Sequence, residues 1–184
     1  MERGVLKEFG LTDIGKEQAL AAGEALAKRI PEGAVPLVYA SPFSRAQETA
    51  HLAMEAFAKA RNNDTTATIF TAPEIRERYF GTELEGESDE RYAEAWKIDA
   101  VNPKAPPGDN GESVAKVAER IRRLIDQIES EHNGKYVFFV AHGDTLQIAQ
   151  VVFAALHDGG RNPTDDEARA HRSFKFGTGE WREI

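Results

Sequence analysis

Apolar residues along this chain alternate between short continuous runs and stretches of helical spacing. The clearest period covers 112–129, where Val114, Val117, Ala118, Ile121, Leu124, Ile125 and Ile128 fall at i, i+3, i+4 intervals and predict one core-facing helical stripe. A second helix is predicted over Asp13–Arg29, with Thr12 as N-cap, a buried stripe of Ala19, Ala22, Gly23, Leu26 and Ile30, and Pro31 and Gly33 to stop it. Leu37–Ala40 reads as a short buried strand, and Ser41-Pro42 leads into a third helix through Phe43, Ala46, Ala50, Met54 and Phe57. A strand over 67–70 follows a polar break. Residues 73–81 have no period and read as a loop, 85–89 as a solvated acidic segment, and Tyr92, Ala95 and Trp96 as a short helix before the proline-rich stretch 102–108. Val137–Val140 is a further buried strand, and Leu146, Ile148, Ala149, Val152 and Phe153 place a helix directly after it. The first eleven residues and 157–166 read as loop, and Phe174 and Phe176 predict a late edge strand closing with Trp181. Alternating strands and helices without a repeat or linker predict an α/β fold, a three-layer sandwich on a mostly parallel sheet, forming a single domain over residues 1–184.

Composition narrows the function classes. With 184 residues the chain can bury a sizeable core, and it has no apolar run of membrane-spanning length. A net charge of −8 argues against nucleic-acid binding and requires any phosphate site to gather positive charge locally. The absence of cysteine removes disulfides and thiolate metal sites and predicts a cytoplasmic protein. No H-E-x-x-H cluster, P-loop or G-x-S-x-G elbow is present, and His142 with Asp144 does not make a ligand set, so neither metal nor cofactor is expected.

The candidate chemistry centres on His142. It stands at the carboxyl end of a predicted strand, and Asp144-Thr145 is suited to starting the helix that follows. Ligands of open α/β sheets bind at such positions, and helix N-termini favour anions. A histidine there can also do no more than hydrogen-bond a turn. Arg45, in the first turn of the third helix, reads equally as a surface arginine, and Glu77 as an exposed glutamate between two arginines.

Four segments give these residues a common context. Leu11-Thr12-Asp13-Ile14-Gly15-Lys16-Glu17-Gln18-Ala19 resembles the L-T-x-x-G-x-x-Q-A signature of the histidine phosphatase superfamily, the phosphoglycerate mutase-like proteins. Residues 41–50 resemble its S-P-x-x-R-A-x-x-T-A segment, residues 75–81 its L-R-E-R-x-x-G loop, and Gly111-Glu112-Ser113 with Val140-Ala141-His142-Gly143 its G-E-S and S-H-G pair. The resemblance implies a phosphomonoesterase working through a phosphohistidine intermediate. It assigns Arg45 and Gly143 to substrate binding, His142 to the phosphoryl oxygens, and Glu77 to protonating the leaving alkoxide and then deprotonating water. The implied partner is a small phosphorylated metabolite or a phosphoprotein. The acidic, proline-rich segment 83–109 favours a phosphatase over a phosphoglycerate mutase.

The family's R-H-G nucleophile motif is absent from these 184 residues. His51, His132, His157 and His171 stand outside any matching motif and are expected at the surface. The expectation is therefore an N-terminally shortened chain, lacking the family's first central strand and any targeting peptide before it, inactive alone and poorly stable because strand edges are left open. A phosphate-binding pseudoenzyme or regulatory module is the alternative.

Overall fold

The computed structural model describes residues 2–62, 67–84, 86–87 and 89–184. Two short 3-10 turns, Glu2–Val5 and Lys7–Phe9, stand where the sequence predicts plain loop. Then follow helix α1 (Asp13–Arg29), strand β1 (Leu37–Ala40), helix α2 (Ser44–Ala60), strand β2 (Ile69–Thr71), helices α3 (Asp89–Val101) and α4 (Val114–Glu131), strand β3 (Val137–Val140), and helices α5 (Gly143–His157) and α6 (Asp165–Arg169). Among the described residues no helix is long and apolar enough to cross a membrane.

The chain divides into two compact units. One comprises Met1–Arg76, Glu131–His142 and Gly177–Glu183; the other comprises Glu77–Ser130, Gly143–Phe176 and Ile184. The first unit holds the sheet, in order β2-β1-β3 and parallel throughout, which bears out the α/β expectation. β1 and β3 pair in register from Leu37↔Val137 to Ala40↔Val140, so their carboxyl ends finish side by side. Val38, Ala40 and Val140 form a core with Leu26 and Ile30 from the end of α1 and Ala46, Ala50, Ala53, Met54 and Phe57 from α2.

Two of the quoted motifs build this unit. Thr12 caps α1 by accepting the Gly15 N–H at 3.2 Å, while the Leu11 N–H donates to Glu48 on α2 at 2.7 Å. Gly23 is where α1 meets α2: a Cβ there would lie 1.9 Å from the Ala53 carbonyl oxygen. Replacing a mid-helix glycine by alanine ordinarily stabilises by about 1 kcal/mol. Here Gly23→Ala is expected to destabilise by about 2 kcal/mol, because the helices must separate to admit the methyl. Urea unfolding of the variant reads the sign directly.

In the second unit α4 turns its predicted stripe inward, Val114 to Ile128 all being buried, and Phe80, Leu84 and Ala95 form a smaller cluster with Tyr92 and Trp96. Three expectations are corrected. No strand forms over 174–181: Phe174 ends a 3-10 turn (His171–Phe174), and Trp181 packs on the core of the first unit instead. Residues 157–166 are not wholly loop, because Thr164 forms a capping box with Glu167 and starts α6 at Asp165. The second strand lies at 69–71 rather than 67–70, with Ala67 buried just before it. Of the acidic segment 85–89, residues 85 and 88 lie outside the described residues.

Candidate active site

In the first unit, Arg45 and His142 meet. Arg45 is the second residue of α2, and His142 stands two residues beyond β3. The parallel register that ends β1 at Ala40 and β3 at Val140 delivers both to one edge of the sheet. Arg45 Nη2 donates to His142 Nδ1 at 2.9 Å, and His142 Nε2 lies 2.8 Å from Ser41 Oγ. Phe43 flanks both partners: its ring is edge-on to the imidazole with centroids 5.0 Å apart, and the Arg45 guanidinium carbon sits 5.3 Å from the Phe43 centroid. His142 and Ser41 are buried, and Arg45 is half-buried.

The S-P-x-x-R-A-x-x-T-A segment supplies this geometry piece by piece. The Ser41 N–H donates to the Val140 carbonyl at 2.9 Å, extending the β1–β3 ladder by one rung. The Gln47 amide donates to the Ser41 carbonyl at 2.7 Å, and the Thr49 hydroxyl to the Arg45 carbonyl at 2.8 Å. Ala46 and Ala50 seat the helix against the core. The half-buried guanidinium of Arg45 thus lies beside a buried imidazole, a pair suited to an anion with several oxygens.

Glu77 belongs to the second unit. Its Oε1 accepts the Thr145 hydroxyl at 3.1 Å and the Arg78 N–H at 2.9 Å. Gly143, the other binding candidate, is the first residue of α5 and is exposed. The loop carrying Glu77 is clamped by Glu112 of the G-E-S motif. Glu112 exchanges backbone and side-chain hydrogen bonds with Tyr79 (2.7 and 3.1 Å), and its carbonyl accepts Arg78 Nε at 2.7 Å. Its carboxylate also pairs with the buried Arg120 at 3.2 Å. Gly111 is needed beside it, because a Cβ there would stand 2.2 Å from the Pro107 carbonyl oxygen.

Sequence reasoning missed a buried charge cluster in this unit. Arg78 grips Asp99 with two hydrogen bonds of 2.7 and 2.8 Å and reaches Asp144 at 3.2 Å. His171 Nε2 lies 3.6 Å from Asp144 Oδ1 and 3.9 Å from Asp99. His171 is fully buried, contrary to the surface position expected for it; its Nδ1 donates to the Ala168 carbonyl at 2.9 Å. Of the other three histidines outside the motifs, His51 and His157 are exposed and His132 is half-buried.

Burial pushes the Asp144 carboxyl up, but His171 and Arg78 outweigh it and hold it below the ordinary carboxylate range. Its contribution to stability is therefore fully present above the unfolded value of about 4 and is lost as pH falls through the depressed folded value. Urea midpoints taken from pH 7 down to about pH 3 are expected to fall more steeply below about pH 4 in the wild type than in Asp144→Asn.

Comparison with known proteins identifies the family of the chain. The profile of the histidine phosphatase superfamily (branch 1) matches residues 4–167. The bifunctional protein Rv2228c of Mycobacterium tuberculosis is 33% identical over 135 residues, 72% of this chain; the chain spans about a third of that relative's length, 34%. Among solved structures, a mycobacterial glucosyl-3-phosphoglycerate phosphatase superposes with a TM-score of 0.60 at 23% identity, covering 88% of this chain and 72% of the other. The α-ribazole phosphatase of Shigella flexneri does so with a TM-score of 0.57 at 24% identity, covering 92% and 74%.

Proposed function

This chain belongs to the histidine phosphatase superfamily, and from that premise we propose that it carries the phosphoryl-gripping and proton-transferring groups of a phosphomonoesterase. The contact between Arg45 and His142, 2.9 Å apart at the ends of two parallel strands, is the observation that supports this reading most. Transfer of a phosphoryl group spreads negative charge over its oxygens, so fixed donors do most of the stabilising. Arg45 offers a planar fork to two oxygens, and His142 and the backbone of Gly143 supply further donors. Glu77 protonates the departing alkoxide and then takes a proton from water; its Oε1 already receives two donors, which fixes the orientation of the carboxyl.

The substrate is a small phosphorylated metabolite or a phosphoprotein. The structural neighbours named above are phosphatases of such esters, which agrees in kind with this reading. Hydrolysis through a phosphohistidine needs a nucleophilic histidine, which the family carries in R-H-G, and no such triplet occurs in these 184 residues. That observation favours a second reading, a phosphate-binding module without turnover.

Inorganic phosphate binding and p-nitrophenyl phosphate hydrolysis, measured on the same preparation, separate the readings. Saturable phosphate binding is expected. Binding with turnover supports the esterase in this chain itself, binding without turnover supports the module, and failure to bind phosphate at millimolar concentration rejects both.

A further inference from the structure

Gly4 stands against the aromatic ring that flanks Arg45 and His142. A Cβ at Gly4 would lie 2.7 Å from two ring carbons of Phe43 and 2.9 Å from a third, well inside van der Waals contact. Gly4 sits in the 3-10 turn Glu2–Val5 and its φ is not positive, so space rather than backbone conformation demands glycine there.

The contact is fixed from both sides. Ser44, the first residue of α2, donates its hydroxyl to the Leu6 carbonyl at 2.7 Å and stands 3.3 Å from the Gly4 carbonyl, which pins the turn at the head of the helix. The Phe43 backbone is held as well. Its N–H donates to Ser41 Oγ at 3.3 Å, and its carbonyl accepts the Ala46 and Gln47 N–H groups at 2.9 and 3.0 Å. The Phe43 ring is buried, so it can yield to a neighbour only by turning about its side-chain torsions in a packed setting.

The same ring bears on the proposed phosphate grip. The Arg45 guanidinium carbon lies 5.3 Å from its centroid, and the His142 ring stands edge-on at 5.0 Å. An anion that takes the guanidinium competes for the hydrogen bond to His142 but not for the contact with Phe43, which persists through binding. A long arginine side chain binds more tightly when it is held in its bound orientation beforehand.

We propose that the N-terminal turn aims the phosphate grip through Phe43: Gly4 and Phe43 are positioning residues that hold the Arg45 guanidinium where the anion meets it. The assignment rests on the phosphate reading above. A methyl on Gly4 turns the ring, and the turned ring shifts the surface on which the guanidinium rests.

A double-mutant cycle tests this, with inorganic phosphate titrated calorimetrically into the wild type, Gly4→Ala, Phe43→Leu and the double variant. Gly4→Ala is expected to weaken phosphate about tenfold in the wild-type background and less than about twofold in the Phe43→Leu background, where no ring is left to strike. In the ligand-free chain Gly4→Ala also moves the ¹H NMR signals of the His142 ring, which a change confined to stability would leave in place. Unaltered affinity in Gly4→Ala overturns the inference, and this comparison does not depend on the folding of Phe43→Leu. Equal losses in the two backgrounds overturn it as well, because Gly4 would then act without Phe43. Absence of phosphate binding by the wild type sinks the phosphate reading, whereas binding indifferent to Gly4→Ala sinks the positioning role alone.

Discussion

Replacing Arg78 with methionine is expected to lower folding stability by about 3–5 kcal/mol, a large share of the 5–15 kcal/mol typical of a domain. The side chains of Arg78 and Asp99 are entirely buried and that of Asp144 nearly so. Methionine fills much the same volume but leaves two carboxylates with no guanidinium between them, and deleting one member of a buried ionic cluster strands the others. Arg78→Lys rescues only part of the loss, because a point charge cannot bridge both Asp99 oxygens while donating to the Glu112 carbonyl. Thermal and urea melts of the three proteins measure this, and a methionine variant within about 1 kcal/mol of wild type would show that the cluster does not hold the unit together.

That cluster was invisible in the sequence for a physical reason. Its members lie 21 and 66 residues apart along the chain, on a loop and two helices, and charged side chains brought together by tertiary packing leave no period. Arg120 escaped notice likewise: it occupies a position between apolar residues of α4 and is buried by its pairing with Glu112. The α4 stripe, by contrast, was fully legible, because burial of one helix face imposes a 3.6-residue repeat. β1 and β3 were legible as continuous apolar runs, and their parallel pairing is what turns two strand ends distant in sequence into one edge bearing Arg45 and His142. The misreading of 174–181 has the opposite origin. Alternating Phe174 and Phe176 mimic a strand, but Gly177 and the left-handed Gly179 (φ 73°) break it, and a turn of 3-10 helix takes Phe174 instead. Helix α6 has five residues, too few for a period, and rests on its capping box.

Arg45→Ala is expected to weaken inorganic phosphate binding at least about a hundredfold while leaving the melting curve close to wild type. The guanidinium is half-exposed at the head of α2, so its loss opens no core cavity, whereas the helix itself is anchored by Ala46, Ala50, Ala53 and Phe57. Arg45→Lys keeps the charge but loses the planar fork, and about tenfold in affinity goes with it. Isothermal titration of phosphate into the three proteins decides the matter. Equal affinity in Arg45→Ala would mean that the anion is held elsewhere.

The central claim, that Arg45 and His142 together hold a phosphoryl group, is tested most directly by a crystal structure of this chain with orthovanadate bound. The account predicts the vanadium centre over the edge formed by β1 and β3, with vanadate oxygens within hydrogen-bond distance of the Arg45 guanidinium and of His142 Nδ1, the original 2.9 Å contact between those two groups having been exchanged for contacts to the anion. Vanadate bound at another surface, with Arg45 still donating to Nδ1, would contradict it.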